Sequence, residues 1–455
     1  MSELSTISRH ALTVLAGQLA VMAFGVTDTI VAGRYAQEAL AALSIGSAVF
    51  ISVYVGLMGV LQALMPVWAE QRGANAQAAI GRSVRQSLYL WAVATALGMA
   101  VLLSPEPILR WTEVPPELLG AVRAYLAILA FGLPPALLFR IYSTLNQALG
   151  HPQLVTWLQV GSLALKLPLS IWFTFGGAGL APQGVAGCAW ATLVVNYGLM
   201  LLGWAMLRRH AMYAPLQLWR ALERPDGTQI ARFLRLGLPA GLAILVEVTS
   251  FTLMALFIAR QGALASAAHQ IAANLAAVVY MVPLSLAIAT SARVSYWRGA
   301  GDERQAGATA LNGFWLATLM GCALAATLII AKQPIAGLYS TSPEVVALAA
   351  SLLVWVAAYQ VADALQTLCI FVLRSYHITL APLVVYGVLL WGVGLHGGYR
   401  LAYQGWAGWG SYHSPAPFWA ASAAALAVTA LVFAALLLGV LRLSRRKADE
   451  RQVHA

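Results

Sequence analysis

The sequence predicts an all-α integral membrane protein with twelve transmembrane helices. Of its 455 residues, 60% are hydrophobic and only 9% are charged, and the mean hydropathy is +0.76. Soluble domains carry about 25% charged residues, so this composition excludes an ordinary water-soluble core. Apolar stretches of about 20 residues, each long enough to cross ~30 Å of hydrocarbon as a helix, recur along the whole chain. Only α-helices and closed β-barrels satisfy their backbone hydrogen bonds in lipid. The stretches are too long and too continuously apolar for barrel strands, so helices remain.

The spans are placed by reading hydropathy against the positions of proline, glycine and charge. We expect them near residues 12–33, 39–64, 86–104, 121–140, 154–178, 184–206, 233–258, 263–291, 311–331, 346–373, 380–399 and 417–441.

The distribution of lysine and arginine predicts the orientation. If the N-terminus is cytoplasmic, twenty of the 27 basic residues fall in inside segments and six in outside segments, while Lys166 falls within a span. The positive-inside rule then places both termini in the cytoplasm, which requires an even number of spans. The formal charge of +11 is therefore interpreted as an orientation signal, and no nucleic-acid partner is expected.

The longest hydrophilic stretch runs from Arg208 to Arg232. It is too short to fold as a nucleotide-binding domain, and the chain contains no GxxxxGK[ST] phosphate-binding loop. Any uphill movement across the membrane must therefore draw on an ion gradient or on a partner.

A weak internal repeat divides the chain into two halves of six spans. Ala39 matches Ala265 and Arg72-Gly73-Ala74 matches Arg298-Gly299-Ala300 at an offset of 226, and Glu117 matches Glu344 at 227. An even number of spans per half predicts two six-helix lobes related by a pseudo-two-fold axis along the membrane normal. The expected domains are an N-terminal lobe, a cytoplasmic interlobe loop, a C-terminal lobe and a cytoplasmic tail, at 1–207, 208–232, 233–442 and 443–455.

Four charged residues lie within predicted spans: Asp28, Lys166, Glu247 and Asp363. A charge at the bilayer centre costs at least ~2.5–3.5 kcal/mol, so such residues usually face the bundle interior and serve a function. Tyr359 and Asp363 are four residues apart and share one helix face. The carboxylates could carry a proton, coordinate Na⁺ together with the phenol, or attract an organic cation. The simpler alternative is that each acid only pairs with a neighbouring helix.

Several segments together resemble the multidrug and toxic compound extrusion (MATE) transporters, specifically the NorM-like bacterial branch. The resemblance covers essentially the whole chain. It is carried by Gly25-Val26-Thr27-Asp28-Thr29-Ile30-Val31-Ala32-Gly33, by Leu236-Gly237-Leu238-Pro239, by Glu247-Val248-Thr249, by Ala267-Ala268-His269-Gln270, by Tyr359 to Asp363 and by Leu373-Arg374.

The resemblance implies two six-helix lobes around a V-shaped cleft in the bacterial inner membrane. It implies export of organic, mostly cationic compounds by alternating access, in exchange for Na⁺ or H⁺ and without a cofactor. By carry-over, the cation site of the C-terminal lobe consists of Glu247, Tyr359 and Asp363. It is a metal site only if coupling uses Na⁺. The acid of the N-terminal lobe is Asp28. The expected partners are organic cation substrates and membrane lipids, and the expected state is a monomer.

One position departs from the family pattern. Where similar proteins often have asparagine pairs in the fifth span, this chain has Lys166 and Ser170. A lysine there could pair with Asp28 and replace a bound cation with its own ammonium. We therefore expect these two residues to tune the N-terminal lobe, and coupling to depend on the C-terminal lobe.

Two alternatives compete with efflux. A lipid-linked saccharide flippase shares the two-lobe plan but would be expected to carry several cationic residues for a pyrophosphate, and here Lys166 is the one candidate. An intramembrane enzyme would need a catalytic constellation, and the chain contains neither HExxH nor GxSxG. The sequence therefore favours a transporter and not an enzyme.

Overall fold

A computed structural model describes residues 3–111, 115–177, 179–405 and 411–453. Twelve of its helices are long and apolar enough to cross a membrane, which is the predicted number. We name them α1 to α12: Glu3–Tyr35, Gln37–Gly73, Gln77–Leu103, Pro116–Ala148, Gln153–Phe175, Val185–Arg209, Gly227–Ala259, Ala263–Gly299, Glu303–Ile330, Pro343–Ser375, Leu380–Gln404 and Ala416–Val453. Short helices at Glu106–Trp111 and Lys332–Tyr339 follow α3 and α9.

Several helices extend beyond the predicted spans. The third was expected at 86–104 but begins at Gln77, and the eighth was expected to end near 291 but continues to Gly299. The added turns contain arginines, which a hydropathy profile assigns to loops. Arg293, for example, donates two hydrogen bonds of 2.7 and 2.9 Å to the carboxylate of Glu3. Pairing of this kind lets a helix continue past its apolar part.

The chain divides into two compact units. The N-terminal unit comprises residues 13–241, and the C-terminal unit comprises residues 1–12 together with 242–455. The expected domain bounds at 207, 232 and 442 stay a prediction, and residues 454 and 455 of the expected tail lie outside the described residues.

Each unit is built around one central helix. In the N-terminal unit α4 packs against α2, α3 and α6, and α5 packs on α6. In the C-terminal unit α10 packs against α8, α9 and α12. These two helices are the most buried of the spans, and each is the fourth span of its half. The shared central position is what a repeat of six spans predicts.

The connection between α6 and α7 folds back on α3 and is fixed there by side chains. Arg85, which is buried, donates to both carboxylate oxygens of Glu223 and, at 2.6 Å, to the carbonyl of Gln217. Gln86 exchanges hydrogen bonds with the backbone of Arg224 and Asp226.

The approach of this connection to α3 requires a glycine. A Cβ at Gly81 would lie 1.7 Å from the carbonyl oxygen of Leu216, which is a hard overlap with backbone. Tyr213 adds a third anchor, because its hydroxyl donates a 2.7 Å hydrogen bond to Asn146 of α4. We call residues 210–226 the interlobe connection.

The ion pair of the interlobe connection predicts a pH dependence. The hydrogen bonds from Arg85 lower the pKa of Glu223, so this contact favours the attached connection above the ordinary pKa of a glutamate. The stabilisation is lost as the pH falls through the lowered pKa. We expect the connection to become a protease-sensitive site at acid pH, as measured by limited proteolysis of the purified protein.

Glu223→Gln should make the connection as sensitive to protease at neutral pH as it is in wild type at acid pH. Arg82→Ala is the matched control, since Arg82 forms an ion pair of 3.3 Å with Asp226 but is itself 57% exposed, and exposed pairs contribute little. Equal cleavage of wild type and Glu223→Gln at neutral pH would contradict the assignment.

Candidate functional site

The intramembrane acid of the N-terminal unit is paired with a lysine. Asp28 of α1 is 7% exposed and Lys166 of α5 is fully buried. The ammonium nitrogen of Lys166 lies 2.7 Å from Oδ1 of Asp28. Ser170, one helical turn after Lys166, donates a 3.1 Å hydrogen bond to the same oxygen.

The remaining protons of the Lys166 ammonium also have acceptors. Nζ donates to Oγ1 of Thr192 at 2.7 Å and to the carbonyl oxygen of Cys188 at 3.1 Å, both on α6. An ammonium has three donors, and here each has a partner. The lysine therefore occupies the position beside Asp28 that a bound cation would need.

The acids of the C-terminal unit have a different environment. Asp363 of α10 is 2% exposed, and Glu247 of α7 is partly buried. The two carboxylates are close enough to act on each other electrostatically. Neither forms a salt bridge within the described residues, in contrast to Asp28.

Neutral groups hold Asp363 in place. The side-chain amide of Gln366 donates a 2.8 Å hydrogen bond to Oδ1 of Asp363 and a 3.1 Å hydrogen bond to Thr367. The hydroxyl of Tyr386, on α11, donates to the carbonyl oxygen of the same amide. Tyr280 of α8 interacts electrostatically with both carboxylates. Helices α8, α10 and α11 thus converge on one carboxylate without placing a cation on it.

Tyr359 lies one turn before Asp363 on α10, and its side chain is 3% exposed. It acts electrostatically on Asp363, which lies four residues away on the same helix, and on Glu247. Its ring packs edge-to-face against Phe251 at 5.7 Å and Trp419 at 5.9 Å between centroids. The phenol is therefore held rigidly at the border between the acids and an aromatic cluster.

A pocket opens beside this cluster, between α7, α10, α11 and α12. It contains about 270 Å³ of empty space, counting its open mouth. Its lining is mostly apolar and is formed by Ser250, Phe251, Met254, Tyr359, Leu390, Gly394, Ser422, Ala425 and Leu426. Residues 387–396 of α11, which include two of these, have the wider π-helical hydrogen bonding, a feature frequent at functional sites.

Sequence reasoning missed the groups that surround the acids: Tyr280, Gln366, Thr367 and Tyr386. Gln366 and Thr367 could have been found, because they lie three and four residues after Asp363 and so extend its face of the helix. Arg374 was quoted only as part of Leu373-Arg374 and was given no role near the acids. It is 4% exposed, lies over the ring of Phe371 at 4.5 Å and acts electrostatically on Glu247.

In the described residues no group of three or more His, Cys, Asp or Glu side chains could hold a metal ion. The cation site expected from the sequence at Glu247, Tyr359 and Asp363 stays a prediction.

The sequence pattern of the MatE family matches residues 14–172 and 239–399, one stretch in each half of the chain. The chain belongs to the MatE family. The MatE proteins are transporters, so this chain is a transporter and not an enzyme.

Relatives of this chain include a probable multidrug resistance protein NorM of Aromatoleum aromaticum. It is 37% identical over 435 residues, which cover 95% of this chain and 93% of the relative. The multidrug resistance protein PmpM of Pseudomonas aeruginosa is 35% identical over 89% of this chain and 85% of its own length. Bacterial relatives of this kind and twelve candidate spans place the chain in the inner membrane as a multi-pass protein.

Solved structures show the same fold. The eukaryotic MATE transporter AtDTX14 matches with a TM-score of 0.86 at 18% identity, over 99% of this chain and 98% of that chain. The Vibrio cholerae MATE transporter VcmN, in its bent form, matches with a TM-score of 0.83 at 17% identity, over 97% and 98%.

The pairing of Lys166 with Asp28 predicts a strongly non-additive double-variant cycle. Lys166→Met leaves a buried carboxylate without its partner, and Asp28→Leu leaves a buried ammonium. Each single change should destabilise the protein by about 3–5 kcal/mol, whereas replacing both charges with apolar groups is often neutral or stabilising.

The measurement is thermal unfolding of the four proteins in one detergent, followed by loss of the monodisperse peak in size-exclusion chromatography. Single variants that melt far below wild type while the double variant recovers would agree with the structure. Additive losses would mean that the two side chains act independently.

Proposed function

We propose that this transporter exports organic, mostly cationic compounds across the inner membrane in exchange for Na⁺ or H⁺ by alternating access. The observation that carries the proposal is the pair of intramembrane carboxylates Glu247 and Asp363, which interact with each other and have no salt-bridge partner in the part of the chain that the structure describes. Relatives named multidrug resistance proteins support the class of substrate.

The physical argument is the cost of charge in hydrocarbon. An unpaired charge at membrane depth costs at least ~2.5–3.5 kcal/mol, so two adjacent carboxylates favour binding of a cation from either side. An antiporter needs this property, because the unit should change its access only when its charge has been compensated. A coupling ion and an organic cation satisfy that requirement alternately.

The cost of an uncompensated charge suggests different roles for the two acidic sites. At Asp28 the compensating cation is the covalently attached ammonium of Lys166, 2.7 Å away. The N-terminal unit then needs no ion from solution, and we propose that Glu247, Asp363 and Tyr359 carry the coupling. Lys166 neutralises the N-terminal acid, and Ser170 adds a hydrogen bond to the same oxygen.

The environment of Lys166 also bears on the flippase alternative. A pyrophosphate would need free cationic donors, and the three protons of Lys166 are engaged by Asp28, Thr192 and Cys188. Efflux of cations is therefore the better supported function. We further propose that the chain acts as a monomer surrounded by lipid, with both termini in the cytoplasm as the arginine distribution predicts.

Ethidium efflux from proteoliposomes, with Na⁺ and pH gradients imposed separately, tests the proposal. One of the gradients should drive efflux by wild type. Glu247→Gln and Asp363→Asn should each lower the driven rate at least about tenfold, the change that ~1.4 kcal/mol of lost stabilisation produces.

Glu344→Gln is the matched control, because it neutralises an exposed glutamate in the first turn of α10. Its rate should equal that of wild type. If neither gradient drove efflux by correctly inserted protein, cation-coupled export would be excluded for this substrate.

The location of coupling is tested by removing the Asp28–Lys166 pair from the N-terminal unit. Asp28→Leu/Lys166→Met should keep its dependence on the same gradient as wild type, since no ion from solution occupies that site. Glu247→Gln/Asp363→Asn should lose the dependence altogether. Retained gradient dependence in the second variant, or its loss in the first with the protein intact, would place coupling in the N-terminal unit.

A further inference from the structure

The C-terminal end of α6 carries an exposed cluster of arginine and tryptophan. Trp204 and Trp219 are 47% and 53% exposed, and their rings meet edge-on at 5.7 Å between centroids. The guanidinium carbon of Arg208 lies 5.4 Å from the centroid of Trp204 and 6.0 Å from that of Trp219. The indole N–H of Trp219 donates to the carbonyl of Leu207 at 3.4 Å and so joins the interlobe connection to the helix end.

Two further arginines adjoin this cluster along the chain: Arg209 follows Arg208 on α6, Arg220 follows Trp219 on the interlobe connection, and both are exposed. Within the described residues neither they nor Arg208 form an ion pair. The nearby acids of the connection are engaged elsewhere, since Glu223 is bound by Arg85 and Asp226 by Arg82. The surface therefore has an uncompensated positive charge.

We propose that Trp204, Arg208, Arg209, Trp219 and Arg220 form a binding site for the phosphate headgroup of an anionic phospholipid. The proposal rests on α6 being a membrane span and not on the coupling mechanism. Because α6 ends at Arg209, the site lies where a span leaves the hydrocarbon, which is the level of the headgroups. Amphipathic indole rings are enriched at that level.

The charges and geometry favour a phosphate. A helix C-terminus carries about half a negative elementary charge and by itself repels an anion, and three arginines exceed that charge. Stacking on the indole faces leaves the in-plane N–H donors of a guanidinium available, and these donors match phosphate oxygens. The acyl chains of the lipid would then lie along the apolar surface of α6, where Leu201 and Leu202 are 56% and 53% exposed.

The site is also built before a lipid arrives. Tyr213, Arg85 and Gln86 fix the interlobe connection on α3 and α4, and Trp219 is held against the end of α6. Little conformational entropy remains to be lost when a headgroup binds, which favours binding at a specific position over general attraction of lipid.

Native mass spectrometry of the full chain, titrated with phosphatidylglycerol and separately with phosphatidylcholine, tests the proposal. Arg208→Gln/Arg209→Gln should weaken the tightest phosphatidylglycerol adduct by about fivefold for each arginine, the fold-change that ~1 kcal/mol per basic residue produces. Trp219→Leu should also weaken it, without a change of charge. Binding of phosphatidylcholine should not change.

The matched control is Arg442→Gln/Arg446→Gln. It removes the same charge from two exposed arginines near the end of α12, and it should leave the tightest adduct intact. Thermal unfolding in lipid-free detergent identifies a misfolded variant, in which case Arg220→Gln on the exposed connection replaces it. Equal weakening by both arginine pairs would mean diffuse attraction, and no weakening by the α6 pair would mean that the lipid binds elsewhere; either result overturns the site.

Discussion

The cost of placing a charge in hydrocarbon is the constraint that organises this transporter. At least ~2.5–3.5 kcal/mol is required for each uncompensated charge at membrane depth, and the two units meet this cost differently. In the N-terminal unit the ammonium of Lys166 forms a salt bridge with Asp28. In the C-terminal unit Glu247 and Asp363 interact electrostatically, and Asp363 is held by the neutral amide of Gln366. The acid of the N-terminal unit thus has its own counter-charge, whereas the acids of the C-terminal unit form no salt bridge within the described residues.

This difference gives two units of the same plan unequal energetics. α4 and α10 hold equivalent central positions, so packing alone would make the halves similar. The charge of the N-terminal unit is constant, because its cation is covalently attached. In the mechanism we propose, the charge of the C-terminal unit depends on what has bound. Only a unit whose charge varies can make a conformational equilibrium respond to an ion gradient, since a ligand shifts an equilibrium by its differential affinity for the two states.

The features that the sequence predicts well are single charges in apolar surroundings. Asp28, Lys166, Glu247 and Asp363 stand out for this reason, and the twelve spans follow from the same contrast. Neutral polar groups do not stand out. Tyr386 lies 20 residues from Gln366 along the chain and on another helix, and a tyrosine in a span is ordinary, so nothing local indicates that the two are bonded. The start of α3 was missed for a related reason. Arg82 and Arg85 lower the local hydropathy, so a sequence profile places them in a loop. The helix can include Arg85 because Glu223, 138 residues later in the chain, binds it.

The same pairing gives the orientation signal of the arginines a structural cause. A basic excess at one end of the spans can bind anionic lipid only if nearby acids do not neutralise it. Here the buried Arg85 takes Glu223, and Arg82 takes Asp226. These contacts fix the interlobe connection against α3, and in the described part of the chain they leave Arg208, Arg209 and Arg220 exposed without an acidic partner. A connection that bound its acids to its own arginines would keep the same net charge but present no positive surface at the end of α6. The arrangement of the ion pairs, and not the number of arginines, therefore decides where this protein can hold a charged headgroup.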